Sequence, residues 1–355
     1  MRVLADYHHG SLLRSLVMLF EDRLGMELYR PIGLEWFHEG YWAVSELKRT
    51  ARQFLEPRAG DRSPSVNVTT TVDPGPSEGV YTVADPGGVS THRACTLAHF
   101  IDHRFDYVIA SIPAHVALFE RLVATYQPRA KLIVQVGNNW NLADYRGHNV
   151  LASIAPRPVP EANVIFYHQE FDLDIFAPAP CLPTRKIYSY VNVIQYSGVG
   201  WDDFLELRRL LGPAGYEVRA YGGLCPDGNK TGPVELADSM RETQFVLHVK
   251  AGGDGFGHVV HNAYAVGRPL ITRPSHYRGQ LAERLMVPDT FIDLDRHGVR
   301  KVRRIVADLT DSPERLRQMG QRAAERFREM VDYDLEARAI ADWLANLPPS
   351  EVSSG

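Results

Sequence analysis

The sequence predicts an α/β fold of two Rossmann-like domains facing each other across a cleft. Three observations point there. Short apolar strands alternate with helices in two separate sets, one from Arg2 to Tyr167 and one from Lys186 to Leu294, which is the repeat that builds parallel sheets. A stiff, proline-rich run, Ala177-Pro-Ala-Pro-Cys-Leu-Pro183, lies between the sets. Late in the second set, a loop with four glycines, Lys250 to Gly257, joins a short apolar strand to a helix.

Composition narrows the class. The 355 residues are 45% hydrophobic and 23% charged, enough for two sizeable cores. A formal net charge of -4 gives no global basic field of the kind that announces nucleic-acid binding, although a local basic groove stays open. The three cysteines, Cys95, Cys181 and Cys225, are odd in number and free of CxxC spacing. That argues against a disulfide framework or a zinc site and fits a reducing compartment. Met1 to Ala5 already reads as a strand rather than a charged-then-apolar leader, and no run approaches the roughly 18 apolar residues of a membrane span. The expectation is a soluble, cytoplasmic protein without a membrane span.

The elements follow in order. Arg2 to Tyr7 reads as a buried strand and leads into His8-His9-Gly10-Ser11. A helix from Leu12 to about Leu24, with Leu13, Leu16, Leu19 and Phe20 on one face, stops at Gly25, and Glu27 to Pro31 is a second strand. From Glu35 to Asp85 periodicity is poor: Trp36, Phe37, Tyr41 and Trp42 precede a Pro/Gly/Ser/Thr-rich stretch around Ser63 to Gly79. We read these aromatics as anchors of a long loop. Strand Asp106 to Ser111, helix Val116 to Tyr126 and strand Lys131 to Val136 form a clear βαβ unit. Gly137 to Asn141 then sits at a strand end, where its amides either read ligand hydroxyls or shape a turn. Val164 to Tyr167 completes the first half.

The second half opens with strand Ile187 to Val193, helix Trp201 to Leu211 capped by Gly212, strand Glu217 to Tyr221 and helix Val234 to Glu242. Strand Val246 to Val249 enters the glycine loop. A helix starts near Gly257, carries Val259, Val260, Ala263 and Val266 at helical spacing, and is stopped by Gly267 and Pro269 before strand Leu270-Ile271. Strand Thr290 to Leu294, helices Val299 to Leu309 and Pro313 to Met330, and an amphipathic helix Asp332 to Leu347 finish the chain. Arginines there alternate with Glu and Asp, as on a solvated face. The domains expected are 1–180 and 186–330, with 331–347 as a terminal helix.

The chemistry concentrates in the glycine loop. It ends on the unpaired N–H groups of a helix N-terminus next to a lysine, a setting that favours a phosphate. Lys250, Gly252, Gly253, Gly255, Phe256, Gly257 and His258 are the predicted diphosphate cradle. Gly255-Phe-Gly257 and Gly267-Arg-Pro269 resemble the donor-binding segment of nucleotide-sugar glycosyltransferases with the GT-B fold. The resemblance is strongest to the retaining group, whose pattern is Glu-Gly-Phe-Gly, a helix with a second Glu, and Gly-Arg-Pro. The positions of the two glutamates hold Asp254 and Asn262. Asp254 supplies a carboxylate one methylene shorter, whereas Asn262 offers no charged acceptor to a donor ribose.

The resemblance implies a nucleotide-sugar donor in the second domain, an acceptor against the first, and a terminal helix packed back on the first domain. It implies sugar transfer with retention, needing no metal and no further cofactor. Asp254 would orient the donor sugar and His115 would face it across the cleft, unless His115 is a structural group at a helix start. Lys250 and the loop amides would stabilise the departing diphosphate. Asn262 would lie in the donor site, and His8, His9 and Ser11 on the acceptor side, unless the two histidines only serve the local structure. An arginine-lysine pair that many relatives place after the first strand of the second domain is not evident around Tyr196 to Gly200, which shifts work to Lys250 or Lys230. The acceptor stays open among a glycan, a small molecule, a protein and a modified DNA base. A nucleotide-sugar epimerase and a non-catalytic nucleotide-sugar-binding protein are the alternatives. Asp172-Leu-Asp174 resembles the metal-binding Asp-x-Asp of GT-A enzymes, but Asp-Leu-Asp recurs at Asp293 to Asp295. A dinucleotide dehydrogenase is disfavoured because the first strand runs into His-His-Gly-Ser and not into G-x-G-x-x-G.

Overall fold

Val3, Leu4 and Ala5 are fully buried, as a strand covered on both faces requires, and they make β1 (Arg2–Ala5) the centre of the first sheet. The computed structural model describes residues 1–7, 9–42, 71–84, 91–137, 145–154, 162–250 and 254–348. Strand β1 pairs in parallel with β2 (Glu27–Pro31) on one side and β6 (Tyr107–Ala110) on the other. Beyond β6 lie β7 (Lys131–Val136), β8 (Asn149–Ala152) and β9 (Asn163–Phe166). Beyond β2 lies β5 (Thr91–Cys95), followed by antiparallel β4 (Val80–Ala84) and β3 (Thr71–Pro74), which complete nine strands.

Helix α1 (Gly10–Val17) starts where the His9 ring accepts from the Leu12 N–H, runs into a π-helical turn at Met18–Arg23, and ends before Gly25 at φ +63. The long loop expected from Glu35 to Asp85 is only partly a loop. It contains α2 (Leu34–His38) and the β3–β4 hairpin, and Ser63 to Thr70 of the Ser63–Gly79 stretch lie outside the described residues. Two of the four aromatics are anchors: Trp36 and Tyr41 are buried, and the Trp36 indole donates to the Cys95 carbonyl at 3.0 Å. Strand β5, helix α3 (Leu97–Asp102) and strand β8 were not anticipated. Helix α4 (Pro113–Tyr126) starts three residues earlier than expected, on a proline at the first turn.

The second sheet has five parallel strands in the order β11 (Glu217–Ala220), β10 (Lys186–Ser189), β12 (Phe245–His248), β13 (Leu270–Thr272) and β14 (Phe291–Asp293). Around it pack α5 (Val199–Leu211), α6 (Gly232–Glu242), α7 (His258–Ala265), α8 (Leu294–Thr310) and α9 (Pro313–Met330). The stop after α5 is Gly215, at φ +81, because a 3-10 turn at Gly212–Ala214 carries the helix past the expected cap at Gly212. Helix α8 begins before Val299, since Asp293 caps it by accepting from Arg296 N at 2.9 Å and Gly298 absorbs a kink.

The Gly-Arg-Pro segment ties the linker down. Arg268 is 1% exposed and donates to the carbonyls of Ala179, Pro180, Met240 and Arg241 at 2.6–3.2 Å. Several carbonyls around one guanidinium satisfy a buried charge that has no carboxylate paired with it among the described residues. Helix α10 (Tyr333–Ala345) then returns to the first sheet. Its Ala337, Ile340 and Leu344 share a core with Val3, Leu16, Ile109 and Tyr167, and Tyr107 donates to the Leu344 carbonyl at 3.3 Å. No described helix is long and apolar enough to cross a membrane.

Candidate functional site

The two sheets aim the C-terminal ends of their parallel strands at one cavity of about 800 Å³, the place where open α/β sheets hold ligands. The first-sheet wall consists of His9, Ser11 and Arg14 after β1, Gly137 after β7, and Glu170 with Asp172 after β9. The second-sheet wall is made by the segments after β10, β11 and β12 and by the start of α7.

The glycine loop has the backbone its sequence calls for. Gly255 and Gly257 take φ of +46 and +79, a region where a Cβ is strained. Gly257 starts α7 without a side-chain cap. The positive end of the helix dipole faces the cavity beside Gly257, His258 and Val259. Phe256 N donates to the Gly137 carbonyl at 2.9 Å, and His258 Nε2 lies 2.6 Å from Gln169 Oε1. These two contacts join the walls at the base of the cleft.

Asp254 is the charged centre of the second wall. Its side chain is 17% exposed, with Oδ2 2.8 Å from His248 Nε2 and Oδ1 2.5 Å from Lys250 Nζ. Burial pushes the carboxyl pKa up, but the hydrogen bond and charge of His248 and the charge of Lys250 outweigh it and hold the group well below the usual carboxylate range. Asp254 is thus an anion at any physiological pH. Lys230, also on this wall, sits 4.5 Å above the Tyr221 ring and 3.4 Å from Glu235, just before the first turn of α6. Asn262 is buried one helical turn after His258, and its Oδ1 has no hydrogen-bond partner among the described residues.

The predicted site residues are distributed unevenly. His9, Ser11, Lys250, Asp254, Phe256, Gly257, His258 and Asn262 all line the cavity, and Gly255 shapes the same turn. His8, Gly252, Gly253 and 138–141 of the Gly137–Asn141 run lie outside the described residues. His115 does not face the cavity, contrary to the expectation for it. It is 0% exposed, its Nδ1 is 2.7 Å from the buried Asp6 carboxylate, and the rings of Tyr41 and Trp42 close over it at 4.9 Å. The physical reason is Asp6: a carboxylate buried at the end of β1 needs a partner, and the first turn of α4 supplies it.

His261 is core. It stacks on Phe256 at 4.0 Å, and burial together with His168 pushes its pKa well below the ordinary value, so it is neutral. Asp172 and Asp174 do not form a paired carboxylate site. Asp172 Oδ1 accepts from the backbone N–H groups of Asp174 and Ile175 at 2.9 and 3.2 Å, and its other oxygen is 3.6 Å from Arg14. Among the described residues, no group of three or more His, Cys, Asp or Glu is placed to hold a metal ion. Among the cavity residues that escaped the sequence reading are His248, Arg14 and Glu170. His248 ends an apolar strand, and Arg14 points from a helix whose apolar face drew the attention. Nothing local marks any of them.

No protein-family model matches this sequence, and no curated protein matches it. Solved structures do. An α-glucosyltransferase in complex with UDP and a 13-mer DNA containing an HMU base matches at 10% identity over 98% of this chain and 100% of that one, with a TM-score of 0.63. TarM, from S. aureus, matches at 9% identity over 97% of this chain and 98% of that one, with a TM-score of 0.61. HepE of Anabaena in complex with UDP-glucose matches at 13% identity over 98% of this chain and 100% of that one, with a TM-score of 0.57. Identities this low speak for the fold alone, and the fold they show, over nearly the whole chain, is GT-B: two Rossmann-like domains facing a cleft.

Proposed function

We propose that the protein is a glycosyltransferase that takes a sugar from a nucleoside-diphosphate donor, with a UDP-sugar as the first candidate, and delivers it to an acceptor held by the first-sheet wall. One observation carries this reading. A glycine loop, a helix N-terminus without a side-chain cap and an ionised, half-buried aspartate meet on one wall of a cavity at the C-terminal ends of the parallel strands of two sheets. UDP or UDP-glucose in the similar HepE and α-glucosyltransferase structures supports the choice of donor. On this reading 1–180 is the acceptor-side domain, 186–330 the donor-side domain, and 331–347 a crossover helix. Three free, buried cysteines suit a reducing cytosol.

Each group then has a task. The leaving diphosphate gathers negative charge as the bond to the sugar breaks, and the α7 N-terminus, Lys250 and Lys230 meet it with fixed or nearly fixed positive charge. Asp254 accepts hydroxyl hydrogens of the donor sugar and orients it. His9, Ser11 and Arg14 receive the acceptor, with the His9 ring 5.6 Å from the His258 ring across the cleft. Retention rests on the likeness of Asp254-Gly-Phe-Gly257 to the retaining motif. A transfer that needs no metal rests on the same likeness.

A thermal-shift screen of nucleotide sugars followed by product analysis tests this. A UDP-sugar should raise the melting temperature by mass action, and incubation with an acceptor should give UDP and a glycoside in EDTA as well as in buffer. An isomeric nucleotide sugar as the product would make the protein an epimerase. Binding with no product under any acceptor would make it a binder.

A further inference from the structure

His248 is the last residue of β12 and lies behind the Asp254 carboxylate, outside the glycine-loop motif. It is 1% exposed. Burying an imbedded polar ring costs free energy unless its nitrogens are bonded, and here Nδ1 has no partner among the described residues. The bond that offsets the burial is therefore the one from Nε2 to Asp254 Oδ2, at 2.8 Å. Lys250 holds the other oxygen, but its side chain is 46% exposed on a loop, whereas His248 stands on a strand in the middle of the second sheet. The two grips differ in rigidity.

We propose that His248 is a positioning residue for sugar transfer: it fixes the Asp254 carboxylate from the buried side, so that Asp254 stays in place when Lys250 turns toward a diphosphate. The short aspartate needs such a backing. It sits beside Gly255 and Gly257 in a turn that does little to lock a rotamer, and a donor on a rigid element selects one orientation. Asp254 keeps lone pairs for sugar hydroxyls because each carboxylate oxygen accepts more than one hydrogen bond. The inference rests on the proposed function for its effect on turnover, but its geometric content does not.

The test uses the full chain in three forms: wild type, His248→Leu and His248→Gln, the last keeping an N–H donor on a side chain of similar reach. The first readout is the pH titration of the Asp254 carboxyl carbon by NMR, which needs no activity. The groups facing Asp254 are His248, Lys250, Tyr277 and His261. The midpoint should rise in His248→Leu toward the ordinary aspartate value of about 4 and return toward the wild-type value in His248→Gln. The second readout is kinetic. With a UDP-sugar donor, kcat should fall on the order of 100-fold in His248→Leu and recover most of that in His248→Gln, while UDP affinity and KM change less than about twofold. An unmoved carboxyl titration in His248→Leu overturns the proposal. So does a parallel loss of UDP affinity, melting temperature and kcat that glutamine does not rescue, since that is the pattern of a structural histidine. If the wild type neither binds UDP nor transfers sugar, the function proposed above fails, and the carboxyl titration alone still decides whether His248 holds Asp254.

Discussion

The two walls of the cavity are built by different rules. The heart of the second-sheet wall is a short piece of chain, from His248 to Asn262, flanked by the segments after β10 and β11, and its groups meet because they are neighbours in sequence: two glycines at positive φ, a helix start and a carboxylate gripped by residues four and six positions before it. The first-sheet wall collects His9, Arg14, Gly137, Glu170 and Asp172 from three separate strand ends. Glu170 is held by Arg23, itself also paired with Asp334 of the terminal helix, so this wall depends on contacts spanning much of the chain. The difference assigns the work. A compact loop that presents fixed charge suits the constant part of a substrate, the diphosphate, and a wall assembled from distant pieces suits a variable acceptor.

Substitutions can break or sharpen that division. The largest effect should come from Asp254→Asn, which keeps the shape and removes the charge: turnover should fall about 100-fold while UDP still binds. Full activity in this variant would remove Asp254 from the account. Next comes Arg268→Met, which strands the carbonyls of Ala179, Pro180, Met240 and Arg241 and should lower stability by about 2–4 kcal/mol in denaturant unfolding. An unchanged midpoint would show that the linker is held by other means. Lys230→Ala and Lys250→Ala should each weaken UDP binding by about 1–3 kcal/mol, read by calorimetry. On the other wall, Arg14→Ala should leave UDP affinity within about twofold and raise only the acceptor KM. A loss of UDP binding there would erase the contrast between the walls.

The pH behaviour follows from Asp254 with the sign worked out. Its folded pKa lies below the roughly 3.9 of a free aspartate, so its contribution to stability is fully present above that value and is lost only as pH falls through the folded value. Any fall in activity between about pH 5 and 7 therefore has to come from another group. An acid limb in this window that disappears in Asp254→Asn would contradict the low folded value of Asp254.

The same contrast explains what could be read in advance. The glycine loop was legible because its requirements are local: positive φ asks for glycine, a helix start without a side-chain cap follows Gly257, and Asp254 sits between them. The strands of both sheets were legible where they are continuous apolar runs, as in Lys131–Val136 and Tyr107–Ala110. Strands β3, β4 and β5 were not, since Thr71–Pro74 and Thr91–Cys95 carry polar residues and become strands by pairing with their neighbours in the sheet. His115 misled because its position after a strand is right for a site, while its orientation is set by Asp6, a residue far away in sequence. His248 was missed for the mirror reason: it ends an ordinary apolar strand, and only the fold shows that the ring lies behind Asp254.

The most direct test of the donor wall is a calorimetric titration of UDP into the wild type and into the Lys230→Ala/Lys250→Ala double variant. The account predicts saturable binding at one site in the wild type and an affinity at least tenfold weaker in the double variant, with the fold intact by circular dichroism. No binding to the wild type, or equal binding to both proteins, would contradict it.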